Sequence, residues 1–438
     1  MNLYSLLQAR LEAGGKPVRS GIIGAGKFGS MYLSQISHIA GLEVTMIADL
    51  RVEAAKQACA TVGWSEDQIA SCQYVDNGEA ICRSDNVDVV IEATGDPASG
   101  IAHALLAIEH GKHIVMVNVE ADVLAGPLLA AKAKSAGVVY SMAYGDQPAL
   151  VSEMVDWGRS CGFTIAAAGK GTKYLPEYHE VTPDGVWDHY GINAEDAKNA
   201  GMNSRMFNSF LDGTKSAIEM AAIANACNLN VPEDGLQFPP CSVDQLSEIL
   251  VPESSGGVLK TNQSVEVVSS LNRDGSEIER DLRWGVYVVL QAPNDYAAAC
   301  FGQYGLRTSS DGQFASQYKP YHLIGLELPI SVLSAALRQE PTGCSREFRG
   351  DAVAVAKRDL KQGEQLDGEG GYTVWGKLIP AQTSLSLSAL PIGLAHGIRL
   401  TTDVPKGQII SRDHIQGMAD SQAWQIRTQM EGEIHSSI

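Results

Sequence analysis

The sequence predicts an α/β protein in three parts: a doubly wound parallel sheet over residues 1–150, an α+β domain over 151–345 and a small β-rich domain over 346–438. Three observations predict it. Up to residue 150, short apolar runs alternate with longer helical patterns, the mark of βαβ units and a parallel sheet. Beyond 150 that alternation stops, and strand patterns at 163–168 and 279–291 flank a mainly helical stretch at 203–229. From Phe348 onward, short strand patterns are broken by many turns. A chain of 438 residues also exceeds what one hydrophobic core usually holds.

A leading helix is expected over 4–14, with Leu6, Leu7 and Leu11 on one side. Strands follow at 20–24, 44–48, 87–93, 113–118 and 138–142, and helices at 52–62, 99–110 and 126–136. Their apolar, β-branched runs suit strands buried on both faces. Gly111 stands where a helix C-cap belongs. A helical pattern over 317–340 is expected to return to the first domain. Ala352–Ala356 reads as a strand, and the polar last twenty residues are expected to fray.

Hydrophobic residues make up 45% and charged residues 19%, which is ordinary for a globular chain. The net charge of -18 opposes binding to nucleic acid or to an anionic membrane. No apolar run is long enough to span a bilayer, and the N-terminus lacks the apolar core of a signal peptide. The eight Cys residues form no CxxC pair and no disulfide pattern. A cytoplasmic protein with reduced thiols is expected, with a homodimer or homotetramer plausible for such a fold.

The segment GIIGAGKFGSMYL places Gly24, Gly26 and Gly29 in a GxGxxG pattern that follows a strand and opens a helix. That context makes it a Rossmann dinucleotide site. The first Gly permits the tight turn, the second admits the pyrophosphate and the third lets helix and strand pack closely. Lys27 and Phe28 lie within the loop, and the helix N-terminus offers free N–H groups to the phosphates. Asp49 lies twenty residues past Gly29, where a carboxylate bonds the adenine ribose and repels a 2′-phosphate. NAD is therefore favoured over NADP, although neighbouring Arg51 can accept a phosphate. Alternatively, Asp49 is only a turn residue. Thr94, Gly95 and Asn118 sit at strand ends that line the same crevice.

Taken together, GIIGAGKFG, DVVIEATG, GKHIVMVNVEAD, YGDQPA, AAGKGTKY and DGTKSAIEMAAIANA resemble the deoxyxylulose-5-phosphate reductoisomerase-like family, which has a homoserine-dehydrogenase-like N-terminal region. The stretch from AVAVAKRDLKQGEQLD through IRLTTDVPKGQIIS resembles a SAF domain. This resemblance implies an oxidoreductase that uses NADPH and a divalent metal to reduce and isomerise a phosphorylated deoxyketose. One departure stands out: NADPH users of the family carry Arg-rich residues after the second strand, and this chain has Asp49-Leu50-Arg51. An NAD-preferring member would run oxidatively, on a branched or short sugar acid. Two other readings compete: a homoserine-type, sugar-acid or polyol dehydrogenase without isomerisation, and an NAD-binding regulatory protein without turnover.

Lys170, in AGKGTK just after the first strand of the second domain, is expected to bind a substrate anion or act as a general acid. Its flanking glycines would let substrate approach the backbone. Lys173 is a second choice. Asp212 is expected to N-cap the next helix. On that helix Lys215 and Glu219 are four apart and share a face among apolar neighbours. In homoserine dehydrogenases a second-domain Lys with acidic groups transfers the proton. Lys215 is therefore expected as acid/base, with Glu219 orienting it or binding metal. Asp146 and Glu120 are candidate ligands for Mg2+ or Mn2+. His322 reads as a core residue.

Overall fold

The structure is a computed structural model, described for residues 2–417 and 421–435. The first part runs α1 (Leu3–Glu12), β1 (Val18–Ile23), α2 (Lys27–Ile36), β2 (Leu42–Ala48), α3 (Val52–Thr61), α4 (Glu66–Ser71), β3 (Gln73–Val75), α5 (Gly78–Arg83), β4 (Val89–Glu92), α6 (Pro97–Glu109), β5 (His113–Met116), α7 (Val119–Ser135), β6 (Tyr140–Met142) and α8 (Gln147–Ser160). Next come β7 (Thr164–Thr172), α9 (Val186–Tyr190), α10 (Ala194–Asn199), α11 (Ser204–Leu211), α12 (Thr214–Cys227), α13 (Leu246–Ile249), β8 (Ser264–Ser269), β9 (Val286–Gln291), α14 (Asp295–Gln303), β10 (Arg307–Thr308), β11 (Phe314–Lys319) and α15 (Pro329–Arg338). The chain closes with β12 (Gly350–Ala356), β13 (Gln365–Asp367), β14 (Val374–Pro380), α16 (Ala381–Ser386), β15 (His396–Leu400), β16 (Ile415–Gln416) and α17 (Gln422–His435).

These elements divide into two compact units. Residues 1–153 and 322–346 form one, and 154–321 and 347–438 form the other.

In the first unit six parallel strands run β3-β2-β1-β4-β5-β6. The chain winds outward from β1 to β3, then crosses to β4 and winds the other way. The reversal between β1 and β4 opens a crevice at the carboxyl ends of the strands. Strand β4 is buried at every position, which accounts for its continuous apolar run. Helix α15 returns to this core: Leu328, Val332 and Leu333 pack in one cluster with Leu7, Ile22 and Val89. The expected 317–340 helix is thus corrected at its start. Residues 314–319 form the strand β11 and the helix begins only at Pro329. The expected helix at 126–136 begins earlier, at Val119, and carries Pro127 inside it. A Gly-Pro pair marks a break in sequence, yet packing keeps this helix continuous through it.

In the second unit a five-stranded mixed sheet runs β10-β11-β9-β7-β8, with β7 parallel to β8 and antiparallel to β9. Helix α12 is buried almost all round. The C-terminal stretch adds the antiparallel pair β12-β14 and a three-stranded sheet, β13-β15-β16. The polar tail does not fray over residues 422–435. There α17 folds, because Arg427 is fully buried and bonds Asp351 and Glu431, each at 2.6 Å. Residues 419–420 and 436–438 lie outside the described ones. Among the described residues no helix is long and apolar enough to cross a membrane.

Candidate functional site

The glycine loop has the shape a pyrophosphate requires. Gly24 sits at φ +101°, and a Cβ there would stand 2.6 Å from the Ala93 carbonyl oxygen. A Cβ on Gly29 would stand 2.5 Å from the Gly24 carbonyl oxygen, so only glycine lets α2 come so close. At Gly26 a Cβ would meet nothing within 4 Å, which leaves the backbone open to an incoming group. Gly26 is also the N-cap of α2 and offers no side chain to the first-turn N–H groups. Those amides remain for phosphate oxygens. Lys27 is exposed at the start of α2, and Phe28 is half-buried against the core.

Asp49 stands at the tip of β2. One oxygen accepts from the Ala25 N–H (3.0 Å) and the other from the Arg51 N–H (2.9 Å). A carboxylate offers about four lone-pair positions, so two remain for ribose hydroxyls. Asp49 thus braces the glycine loop, as the turn reading expected, and keeps acceptor positions open. Arg51 is exposed. At the β4 tip Thr94 and Gly95 are exposed, and the Thr94 hydroxyl donates to Glu92 Oε1 (2.6 Å). Asn118 is buried and ties two strand ends together: its Nδ2 donates to the Asp96 carbonyl (2.8 Å) and its Oδ1 accepts from the Ala121 N–H (3.1 Å). The residues of this loop fit a nicotinamide dinucleotide.

The metal expectation does not fit. Glu120 lies half-buried in the first turn of α7, and Asp146 is buried and accepts from the Gln147 N–H (2.8 Å) at the start of α8. Among the described residues no three His, Cys, Asp or Glu groups are placed to hold an ion. Asp122, near them in sequence, is fully buried and bonds Tyr140 and Ser345. His322 is half-buried in a loop rather than in a core.

In the second unit Lys170 lies within β7, not after it, and is buried. Its flanking glycines serve packing instead of substrate approach. A Cβ on Gly169 would stand 1.9 Å from the Glu266 carbonyl oxygen, and one on Gly171 2.0 Å from that of Leu282. Glu219 does not orient Lys215: its Oε2 bonds Lys170 Nζ, with both side chains nearly wholly buried. Lys215 is half-buried one turn earlier on α12. Among the described residues Glu219 is the partner of Lys170, so two of the three N–H donors of its ammonium are left over. A buried ion pair is a poor way to stabilise a fold, because desolvating both charges offsets their attraction. Lys173 donates to the His189 carbonyl, and burial, with Arg283 nearby, lowers its pKa. Asp212 is not the N-cap of α12; Gly213 is. The fully buried Asp212 pairs with Lys357 at 2.8 Å and accepts from the Thr214 N–H.

Two groups escaped the sequence reading. Glu92 is fully buried at the β4 tip, with Oε2 unbonded among the described residues and His103 Nδ1 3.3 Å from Oε1. Its signal was a charge closing the apolar run VVI. Glu266 is fully buried on β8, accepts from the Gln237, Phe238 and Val267 N–H groups, and is pushed by burial up to about 7.

Two family models match the chain. Residues 18–143 match the oxidoreductase family with an NAD-binding Rossmann fold, and residues 145–328 match the catalytic domain of oxidoreductase DRL. Each matched region thus resembles part of an oxidoreductase, an NAD-binding Rossmann fold in the first and a catalytic domain in the second. Both matched regions contain the groups described above, the glycine loop in the first and Lys170 with Glu219 in the second. No curated protein matches the chain. Among solved structures, it is similar to a putative oxidoreductase, yvaA, from Bacillus subtilis (19% identity, 37% of this chain and 46% of that one, TM-score 0.28). It is also similar to myo-inositol dehydrogenase from Lactobacillus casei, solved with NAD(H) and myo-inositol (17%, 39% and 50%, 0.27). A third is KijD10, a 3-ketoreductase from Actinomadura kijaniata solved with NADP (20%, 37% and 48%, 0.27). The matches span about half the length of these relatives.

Proposed function

We propose that this protein is an oxidoreductase that prefers NAD and moves hydride to or from a small, polyhydroxylated, sugar-derived substrate, with Lys170 as the proton-transfer group. The observation that carries this reading is the buried Lys170–Glu219 pair with two unused N–H donors. A bound nicotinamide dinucleotide supplies the hydride acceptor or donor. In reduction, an N–H of Lys170 bonds the substrate carbonyl oxygen, stabilises the charge developing there and passes it a proton. In oxidation, the hydroxyl proton goes to a neutral Lys170 amine as the carbon-bound hydrogen leaves as hydride. Glu219 fixes the amine's position. Asp49 supports the NAD preference, since its carboxylate repels a 2′-phosphate.

The finer reading is an oxidation or reduction coupled to isomerisation of the carbon skeleton. It is supported by AAGKGTKY and DGTKSAIEMAAIANA, the motifs that carry Lys170 and Glu219. No step is assigned to a metal.

The test follows reduced-nicotinamide absorbance on a panel of sugar acids, polyols and phosphorylated ketoses. Wild type should turn over at least one panel member. Lys170→Met should lose about 10²–10⁴ in kcat, with dinucleotide affinity unchanged. A Lys170→Met/Glu219→Leu variant should regain stability but not turnover, since it removes both buried charges. Equal turnover by wild type and Lys170→Met sinks the reading. NMR of the product skeleton then separates isomerisation from simple dehydrogenation.

A further inference from the structure

On the far side of α12 from Glu219, the second unit has a partly open cavity of about 200 Å³. Ala217 lines it, and Glu219, two residues on, is turned about 200° around the helix. The cavity is therefore separate from the Lys170–Glu219 pair.

Three rings line it and are held in place. His179 stacks on Trp375 (centroids 3.8 Å apart), and Phe238 is backed by Tyr174, which stacks on it (3.9 Å). His179 Nδ1 lies 2.7 Å from the Asp212 carbonyl, which can only accept, so the proton is on Nδ1. The Tyr174 hydroxyl then donates to Nε2 at 3.0 Å, and burial favours this neutral ring. Phe238 holds φ +51°, a left-handed conformation costly for an aromatic residue. Two groups impose it. Glu266, fully buried, accepts from the Gln237 and Phe238 N–H groups, while Arg273 donates to both of their carbonyls at 2.9 Å. Strain kept up by a buried carboxylate and a guanidinium clamp marks a wall held in place for a purpose.

The charge at the mouth is positive. Lys377 lines the cavity, and its stem lies over Gly235, where φ is +88° and a Cβ would stand 2.9 Å from Lys377 Cε. Asp234 also lines it but pairs with Lys260 at 2.6 Å. Among the described residues Lys377 makes no hydrogen bond or ion pair.

We propose that this cavity binds a small planar carboxylate, its ring against His179, Phe238 and Trp375 and its carboxylate on Lys377. The volume suits it: a cavity of about 150 Å³ holds a benzene, leaving room for one carboxylate. A cationic guest, which aromatic walls would otherwise accept, is opposed by Lys377.

The test titrates the full-length protein with benzoate by calorimetry. Saturable binding at a Kd of about 1 mM or tighter is expected. Benzamide, of like shape but uncharged, should bind about tenfold more weakly, and Lys377→Met should weaken benzoate by about the same factor. Lys377→Arg should retain it, and Ala217→Leu should abolish it by filling the cavity while Lys377 stays. No saturable heat up to roughly 10 mM benzoate overturns the proposal. So does equal affinity for benzamide, or benzoate binding unchanged by both Lys377→Met and Ala217→Leu.

Discussion

One carboxylate, that of Asp49, braces the loop and is proposed to hold the ribose. It holds the Ala25 and Arg51 N–H groups and keeps lone pairs for hydroxyl donors. Asp49→Ser should therefore shift binding toward the phosphorylated dinucleotide, with the NADH/NADPH affinity ratio falling about tenfold or more. Fluorescence titration measures it, and an unchanged ratio removes Asp49 from the ribose site. The residue was legible because its spacing from Gly29 is set by one βαβ unit. Lys170 was legible as a lysine between glycines, but its partner was not. Glu219 lies 49 residues away, and Lys215, one turn before it, looked like the local partner. Burial decided between them: Lys170 and Glu219 are both enclosed, whereas Lys215 is only half-buried.

At the scale of elements, the β1–loop–α2 unit depends on contact that only glycine permits. Gly29→Ala would drive a methyl to 2.5 Å from the Gly24 carbonyl, so α2 must shift and its N-terminal amides lose their aim. Dinucleotide affinity should fall at least tenfold while the far-UV circular dichroism spectrum is retained; undiminished NADH binding would contradict the assigned loop geometry. Parallel strands were legible because both faces are buried and the apolar runs continuous. α7 was misjudged at its start, since Gly126-Pro127 mimics a boundary. The expected helix at 317–340 blended two elements, as β11 and α15 are separated by only nine residues.

At the scale of the whole molecule, two contacts join segments distant in sequence. Within the first unit, Ser345 bonds Asp122, 223 residues away, and Tyr140 bonds it from β6. Burial pushes the Asp122 carboxyl up to about 6 against those two hydrogen bonds. The folded state thus holds this proton more tightly than the unfolded chain, whose Asp titrates near 3.9. The group's contribution is full below about pH 4 and is lost as pH rises to about 6, a change of about 3 kcal/mol. Asp122→Asn cannot ionise, so its melting temperature relative to wild type should rise across that window and then level off. A difference independent of pH would refute it. Within the second unit, Arg427 of α17 lies between Asp351 and Glu431. Arg427→Met leaves the buried Asp351 carboxylate with only the Ser384 hydroxyl, while Glu431 keeps Arg412, and should cost about 3–5 kcal/mol. Protease cleavage near residue 421 should then appear; resistance equal to wild type would show that other contacts hold α17.

By itself the sequence determined the parallel α/β sheet, the glycine loop that opens α2 and the acidic residue at the tip of β2. Each is written in neighbouring residues, through the repeat of strands and helices and the steric needs of glycine. Tertiary structure alone decided which carboxylate meets Lys170, that Asp122 is a buried anchor, that a polar tail folds on Arg427, and that three rings line one cavity. Those outcomes depend on which distant groups share a water-free space. Local pattern carries no record of that, because desolvation is set by what the folded chain brings alongside.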